Sequence, residues 1–177
     1  MKNHALKKRL GEEIDAFLHS RKTLQLASLT TDGMPYASYT PFAIGEECLY
    51  VFVSDIGVHA LNLAANPRAS ILIVEDENQA ERIYARVRVN YFVDAEQIES
   101  QSEAWKTGIE ALYQRHGDIV SELSLLGDFR LFKLQPKGGR YVKNYGRAYQ
   151  LAEGSLSKEV MAHMQDGHPS RADAETA

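Results

Sequence analysis

Residues 23–42 read TLQLASLTTDGMPYASYTPF, and this stretch decides the class of fold. Leu24 and Leu26 alternate with small and polar residues, which is typical of a strand with one buried face. The Asp32-Gly33 pair favours a tight turn because both residues tolerate a positive φ. After the turn, a β-rich pattern resumes as far as the end of the stretch. The stretch therefore predicts a β-hairpin.

An amphipathic helix is predicted before the hairpin. Between Ala5 and His19, apolar residues recur every three or four positions, which places them on one face of a helix. These residues are Leu6, Leu10, Ile14, Phe17 and Leu18. We expect this helix to lie as a lid over another part of the fold.

More strands and helices are predicted after the hairpin. Residues 49–53 read LYVFV and are apolar on both faces, which indicates a central strand. Further strands are predicted at residues 69–75, 84–93, 129–134 and 139–149, a short helix at 59–63, and a helical pair at about 95–115 and 118–126.

This order of elements predicts a mainly β protein, an antiparallel β-barrel with α-helices, because hairpin-linked strands occur without a repeating βαβ pattern. Residues 1–151 form the predicted barrel domain, with the N-terminal helix and the inserted helical pair at 95–126. Residues 152–177 are predicted to form a short helix and a flexible, ligand-contacting tail. No linker between two domains is evident.

Composition narrows the classes of partner. The 177 residues carry a net charge of −4, which favours neither nucleic acid nor an anionic membrane surface. No apolar stretch approaches the roughly 20 residues of a membrane span. Cys48 is the single cysteine, so no intrachain disulfide can form. These features predict a cytoplasmic protein.

Three short motifs resemble one superfamily of β-barrels. The motifs are residues 24–29 (LQLASL), the turn 32–35 (DGMP) and the segment 59–70, which ends in NPRAS. Their order and spacing resemble those of the pyridoxamine-phosphate-oxidase-like flavin-binding proteins. The resemblance implies a split β-barrel that forms a homodimer. It also implies two symmetric sites at the subunit interface.

A longer set of motifs resembles the HutZ/HugZ-type heme-utilisation family within that superfamily. The set comprises residues 21–27 (RKTLQLA), 39–42 (YTPF), 59–63 (HALNL), 75–77 (EDE), 127–129 (GDF) and 167–168 (GH). The resemblance implies heme as the ligand. It also implies that His168, in the tail, is the axial ligand of the heme iron, a role that imidazole commonly fills.

Asp128 and Thr23 enter through the same resemblance. It places Asp128 beside the heme histidine, from the other subunit, where a carboxylate that accepts the ring N–H makes the imidazole more electron-donating. Thr23 matches a position that helps to hold the subunit interface near this pair. Asp128 next to Gly127 is also typical of a turn between a helix and a strand, and Thr23 can simply satisfy a strand end. Both interpretations stay open.

Two arginines are candidates for contact with the heme propionates. Arg86 and Arg88 lie two residues apart in the strand predicted at 84–93, so both point to the same face. A solvated strand face, with Arg86 and Arg88 paired to Glu81 or Asp94, explains them equally well.

The leading functional hypothesis is a heme-degrading oxygenase. It would cleave heme with oxygen and electrons from an external reductant or reductase, giving a biliverdin-type product and iron. A non-catalytic heme carrier or store is one alternative. An FMN-dependent oxidoreductase is another, although residues 57–59 are Gly-Val-His where flavin-binding relatives place a Ser-Arg-Lys cluster for the flavin phosphate.

Overall fold

The computed structural model describes residues 2–164 and contains nine strands and four α-helices in that range. The helices are α1 (Lys2–Ser20), α2 (Val58–Ala65), α3 (Glu103–His116) and α4 (Ile119–Ser124). The strands are β1 (Thr23–Leu29), β2 (Pro35–Pro41), β3 (Ala43–Ile44), β4 (Leu49–Ser54), β5 (Arg68–Val74), β6 (Arg88–Ile98), β7 (Phe129–Asn144), β8 (Arg147–Glu153) and β9 (Val160–Met164). Two 3-10 turns, Glu77–Gln79 and Ile83–Ala85, precede β6.

The strands form one antiparallel sheet that closes into a barrel. Its order is β2-β1-β5-β6-β7-β4-β3, and β8 and β9 extend it beyond β7. Because β2 also contacts β4, the two ends of the path meet. The predicted antiparallel split β-barrel with helices is confirmed.

Alternation along the strands separates a core from an outer face. Leu24 and Leu26 of β1 and Val89 and Tyr91 of β6 are buried inside the barrel. Residues between them point outward, because successive side chains of a strand leave opposite faces. Helix α1 covers the core with its apolar side; Leu10, Ile14 and Leu18 are each no more than 2% exposed. Each such side chain contributes about 1.5–3 kcal/mol on burial.

The inserted helical pair forms a second, smaller core. Trp105 of α3 meets the ring of Phe52 edge to face, with 5.5 Å between ring centroids. The α3 helix is capped at its start by Ser102, whose hydroxyl accepts from the N–H of Trp105. The helix packs against β3, β4 and β7. This layer lies outside the barrel and braces the beginning of β7.

The segment between β8 and β9 is pinned to the barrel by two side chains. The Tyr91 hydroxyl donates a 2.5 Å hydrogen bond to the carbonyl oxygen of Leu156. The N–H of Leu156 donates to Glu47 Oε2 at 2.8 Å, and Lys158 Nζ lies 2.7 Å from Glu47 Oε1. These contacts fix the position from which β9 continues toward the C-terminus.

Several predicted boundaries are wrong. The strand predicted at residues 84–93 begins at Arg88 rather than at residue 84. Residues 95–98 extend that strand instead of starting a helix. The strands predicted at 129–134 and 139–149 are a continuous 16-residue strand and its hairpin partner. In place of the C-terminal helix the chain forms β9, because β8 offers an unpaired edge.

The structure confirms four predicted elements. They are the hairpin at 23–42, the N-terminal helix, the strand at 49–53 and the short helix before Asn66. Within residues 2–164, none of the helices is both long enough and apolar enough to cross a membrane.

Candidate functional site

A basic cavity opens on the outer face of β6, β7 and β8. Its volume is about 440 Å³. It is lined by Tyr84, Ala85, Arg88, Asn90, Arg140, Val142, Asn144, Tyr145, Gly146, Arg147 and Ala148. Three of these residues are arginines and none is acidic, so the cavity concentrates positive charge in a chain whose net charge is negative. We call it the arginine cavity.

Strand register brings the three arginines together. Asn90 pairs with Arg140 across β6 and β7, and Arg88 pairs with Val142 two residues further along. Arg147 begins β8 opposite Asn144, at the hairpin that joins β7 to β8. Adjacent strands lie about 4.8 Å apart, which places these side chains within reach of one small ligand.

Arg86 does not line the arginine cavity. It precedes β6, and its guanidinium donates to the backbone carbonyl of Glu75, with Nε at 2.8 Å. Its NH1 lies 3.5 Å from a carboxylate oxygen of Glu77. The predicted pairing of Arg86 and Arg88 on one strand face is therefore wrong. The acidic partner of Arg86 is Glu77, and neither Glu81 nor Asp94 pairs with Arg86.

Thr23 lies on the same outer face as Arg88. Gln25 of β1 pairs with Leu72 of β5, so Thr23 stands level with Val74, and Val74 pairs with Arg88. Two strand spacings, roughly 10 Å, separate Thr23 from Arg88. The Thr23 side chain is exposed. Thr23 and Arg88 therefore belong to one continuous surface.

Asp128 lies at the opposite end of β7 from the arginine cavity. Its Oδ2 accepts a 2.5 Å hydrogen bond from the Ser54 hydroxyl at the end of β4. Its backbone carbonyl accepts from the N–H of Asp55 at 2.8 Å. Asp128 thus joins the end of β4 to the turn before β7, and its side chain bonds Ser54 rather than its own turn. The strand from Phe129 to Val142 covers roughly 40 Å along its path.

Exposed apolar side chains flank Asp128. Ile56 and Leu125 are 89% and 86% exposed, and Leu126 is half-exposed. The N–H of Ile56 donates to the same Ser54 oxygen that contacts Asp128. The carboxylate therefore stands in an apolar surface that the monomer leaves uncovered.

His168, the predicted iron ligand, lies outside the described residues. Two other histidines have structural roles. His116 Nε2 lies 2.9 Å from the carbonyl oxygen of Phe42, and His59 is half-buried at the start of α2, where burial lowers the pKa of its imidazole. Among the described residues, His, Cys, Asp and Glu side chains do not gather in groups of three that could hold a metal ion.

The outer face of the barrel carries uncovered aromatic rings. Tyr39 on β2 and Phe92 on β6 are 69% and 62% exposed. Small residues lie between them: Ala37 pairs with Ala27, Ala27 with Ser70, and Ser70 with Phe92. Exposed aromatic rings separated by small residues are typical of a surface that is buried in a protein–protein interface.

Sequence reasoning missed Arg140 and Arg147. Both fall in the segment 139–149, which the sequence predicted as one strand. A turn signal was present in Asn144-Tyr145-Gly146, where Gly146 has φ +65°. A hairpin placed there would have brought Arg140 and Arg147 to neighbouring strands.

The closed barrel, with a candidate site on its outer face, defines a split-barrel protein. The family model described as pyridoxamine 5'-phosphate oxidase matches residues 10–143. The heme oxygenase HutZ of Vibrio cholerae is 42% identical over 168 residues, which are 95% of this chain and 94% of HutZ. The chain therefore belongs to the pyridoxamine 5'-phosphate oxidase family and, within it, to the family of HutZ.

Solved structures agree with this assignment. A crystal structure of Vibrio cholerae HutZ, described as a heme storage protein, has a TM-score of 0.69 and 43% identity, covering 72% of this chain and 89% of HutZ. A heme-binding protein from Mycobacterium smegmatis has a TM-score of 0.74 and 28% identity, covering 84% of this chain and 60% of that one.

Proposed function

We propose that this protein binds heme as its substrate and degrades it. The observation that carries the proposal is the 42% identity, over almost the full length of both chains, to a protein named heme oxygenase. The arginine cavity supports it, since heme needs cations for its propionates and an apolar surface for its macrocycle. Dioxygen and electrons from an external reductant would open the macrocycle, giving a biliverdin-type product and iron.

Arg88 is the propionate-binding residue that we retain from the predicted pair. It lines the arginine cavity, and its NH1 also donates to the carbonyl of Arg86 at 3.0 Å, which orients it. Arg86 is held by Glu75 and Glu77, which favours a structural role for it.

We propose His168 as the axial iron ligand. Met164 pairs with Ala148 of β8, and Ala148 lines the arginine cavity. His168 follows Met164 by four residues, a length of chain that spans at most roughly 14 Å. The exit point of β9 is therefore compatible with a ligand from the tail.

We propose that Asp128 acts from the second subunit of a homodimer. It is too far along β7 to share a ligand with the arginine cavity of its own chain, and a second copy would bring its own Asp128 to the surface that contains Thr23 and Arg88. The exposed Tyr39 and Phe92 support burial of this face between subunits.

Two alternatives follow from specific observations. A heme store is the first, because the related HutZ structure is described as a heme storage protein. An FMN enzyme is the second, because the matching family model is described as pyridoxamine 5'-phosphate oxidase and the sequence motifs resemble the flavin-binding proteins of that superfamily. Strand β2 carries no basic residue for the flavin phosphate, which favours heme. The lone cysteine supports our further proposal of a cytoplasmic location.

Titration of hemin into the purified protein tests the proposal. We expect one site per subunit, with an axial-histidine Soret spectrum that is lost in His168→Ala. His163→Ala, five residues earlier on β9, is the matched control and should keep the spectrum. Wild type that binds no hemin, and that carries FMN instead, would overturn the proposal.

A further inference from the structure

We propose that Arg140 and Arg147 form a carboxylate-binding subsite that holds the two acidic side chains of a tetrapyrrole. This inference rests on the proposed function, which supplies the ligand, and it deepens that function by assigning the residues that select for a dianionic ligand. The sequence pointed to Arg86 and Arg88 for this task; the structure keeps Arg88 at the cavity and adds Arg140 and Arg147.

The electrostatics of these two side chains carry the inference. The side chains of Arg140 and Arg147 are exposed and make no hydrogen bond or ion pair with the described residues. Arg88, the third arginine of the cavity, already donates to the carbonyl of Arg86, and Arg86, outside the cavity, is held by Glu75 and Glu77. Two guanidinium groups that line one cavity without a carboxylate partner favour an anionic ligand in it.

Local geometry suits carboxylates in particular. A guanidinium presents paired N–H donors that match the two oxygens of a carboxylate, and two such groups can hold two carboxylates. The amide side chains of Asn90 and Asn144 also line the cavity. Asn90 already donates to the Ser70 hydroxyl and to the carbonyl of Ile71, so its amide N–H groups are already used. Arg88, Arg140 and Arg147 are therefore the charged donors that the cavity offers to a carboxylate.

The experiment compares hemin with hemin dimethyl ester, in which both carboxylates are esterified and neutral. Iron ligation and macrocycle burial are common to both ligands, so the ratio of their dissociation constants isolates the carboxylates. Wild type should bind hemin about tenfold or more tightly than the diester. Arg140→Ala/Arg147→Ala should lose most of this preference while keeping its affinity for the diester.

Arg68→Ala is the control for charge, because it removes one guanidinium, half the charge that the double variant removes, from an exposed position at the far end of β5. It should keep the preference for hemin. The single variants Arg140→Lys and Arg147→Lys, which retain charge but lose the paired donors, should give intermediate ratios if the double variant folds poorly.

The possible results distinguish failure of the subsite from failure of the proposed function. A double variant that keeps the wild-type preference, or a wild type that binds both ligands equally, overturns the subsite while leaving heme binding intact. Wild type that binds neither ligand overturns the proposed function, and the subsite falls with it.

Discussion

The Ser54 hydroxyl donates a 2.5 Å hydrogen bond to Oδ2 of Asp128, joining the end of β4 to the turn before β7. The contact uses one oxygen of the carboxylate and fixes its orientation. The second oxygen stays free to accept a further hydrogen bond, and exposed apolar side chains of Ile56 and Leu125 lie near the carboxylate. A carboxylate held in this way is suited to accept the N–H of an imidazole from another subunit.

Replacing Asp128 with Asn should slow heme degradation by roughly 10–100-fold, since the amide no longer fixes the imidazole tautomer. Ser54→Ala should reduce the rate in the same direction by a smaller factor, because it releases the carboxylate without removing it. The initial rate of Soret loss under ascorbate and air measures both. Ser124→Ala, which removes an exposed hydroxyl on α4, should match wild type. A wild-type rate in Asp128→Asn would show that Asp128 serves the turn alone.

Tyr91→Phe should lower the free energy of unfolding by about 1–3 kcal/mol, because it leaves the carbonyl of Leu156 without its donor. The Tyr91 side chain is fully buried, so water cannot replace the lost hydroxyl. Urea unfolding of the two proteins measures the difference. Tyr84→Phe, at a ring that is 86% exposed, is the matched control and should unfold as wild type does.

Glu47→Gln should make stability less dependent on pH. Burial by itself raises the pKa of Glu47, but hydrogen bonds from Lys158 and the N–H of Leu156 outweigh it and hold the pKa below its ordinary value near 4.5. The stabilisation from Glu47 is therefore complete above about pH 4.5 and is lost as the pH falls through the lower, folded-state pKa.

At pH 7 the Glu47→Gln variant should be less stable than wild type by about 1 kcal/mol, and the gap should narrow as the pH falls below 4.5. Thermal unfolding at a series of pH values follows this difference. Glu46→Gln, at the exposed neighbouring position, should show no comparable gap. A gap that persists unchanged at low pH would mean that the charge of Glu47 contributes nothing.

Gly11→Ala should destabilise the protein although alanine is the better helix former by about 1 kcal/mol. A Cβ at residue 11 would lie 2.7 Å from the carbonyl oxygen of Ser157, so α1 would have to move away from the segment before β9. A lower melting temperature for Gly11→Ala than for wild type checks this. Lys8→Ala, on the exposed side of α1, should have little effect, and a stabilised Gly11→Ala would contradict the close approach.

Local pattern was enough to predict the hairpin at 23–42 and helix α1, because each has a strong period and clear end signals. Local pattern gave the wrong secondary structure where pairing with a strand distant in sequence determines it. Residues 95–98 carry no helix-breaking residue, yet they pair with β7 and extend β6. The segment after Gly154 became a strand because β8 had a free edge, which no local signal reveals.

For the same reason, the sequence predicted only some residues of the candidate site. Arg88 could be found from alternation within one strand. Arg140 and Arg147 could not, since their proximity depends on the register of β6 against β7 and of β7 against β8. The Ser54–Asp128 contact joins residues 74 apart in sequence, so only the fold brings it into view.

The most direct test of the central claim is turnover of the hemin complex. With ascorbate in air, the account predicts that the Soret band decays, that a biliverdin-type absorbance rises, and that iron becomes available to a ferrous chelator. An unchanged Soret band under the same conditions, and with a protein reductase in place of ascorbate, would contradict heme degradation and leave a heme-binding protein that does not turn its ligand over.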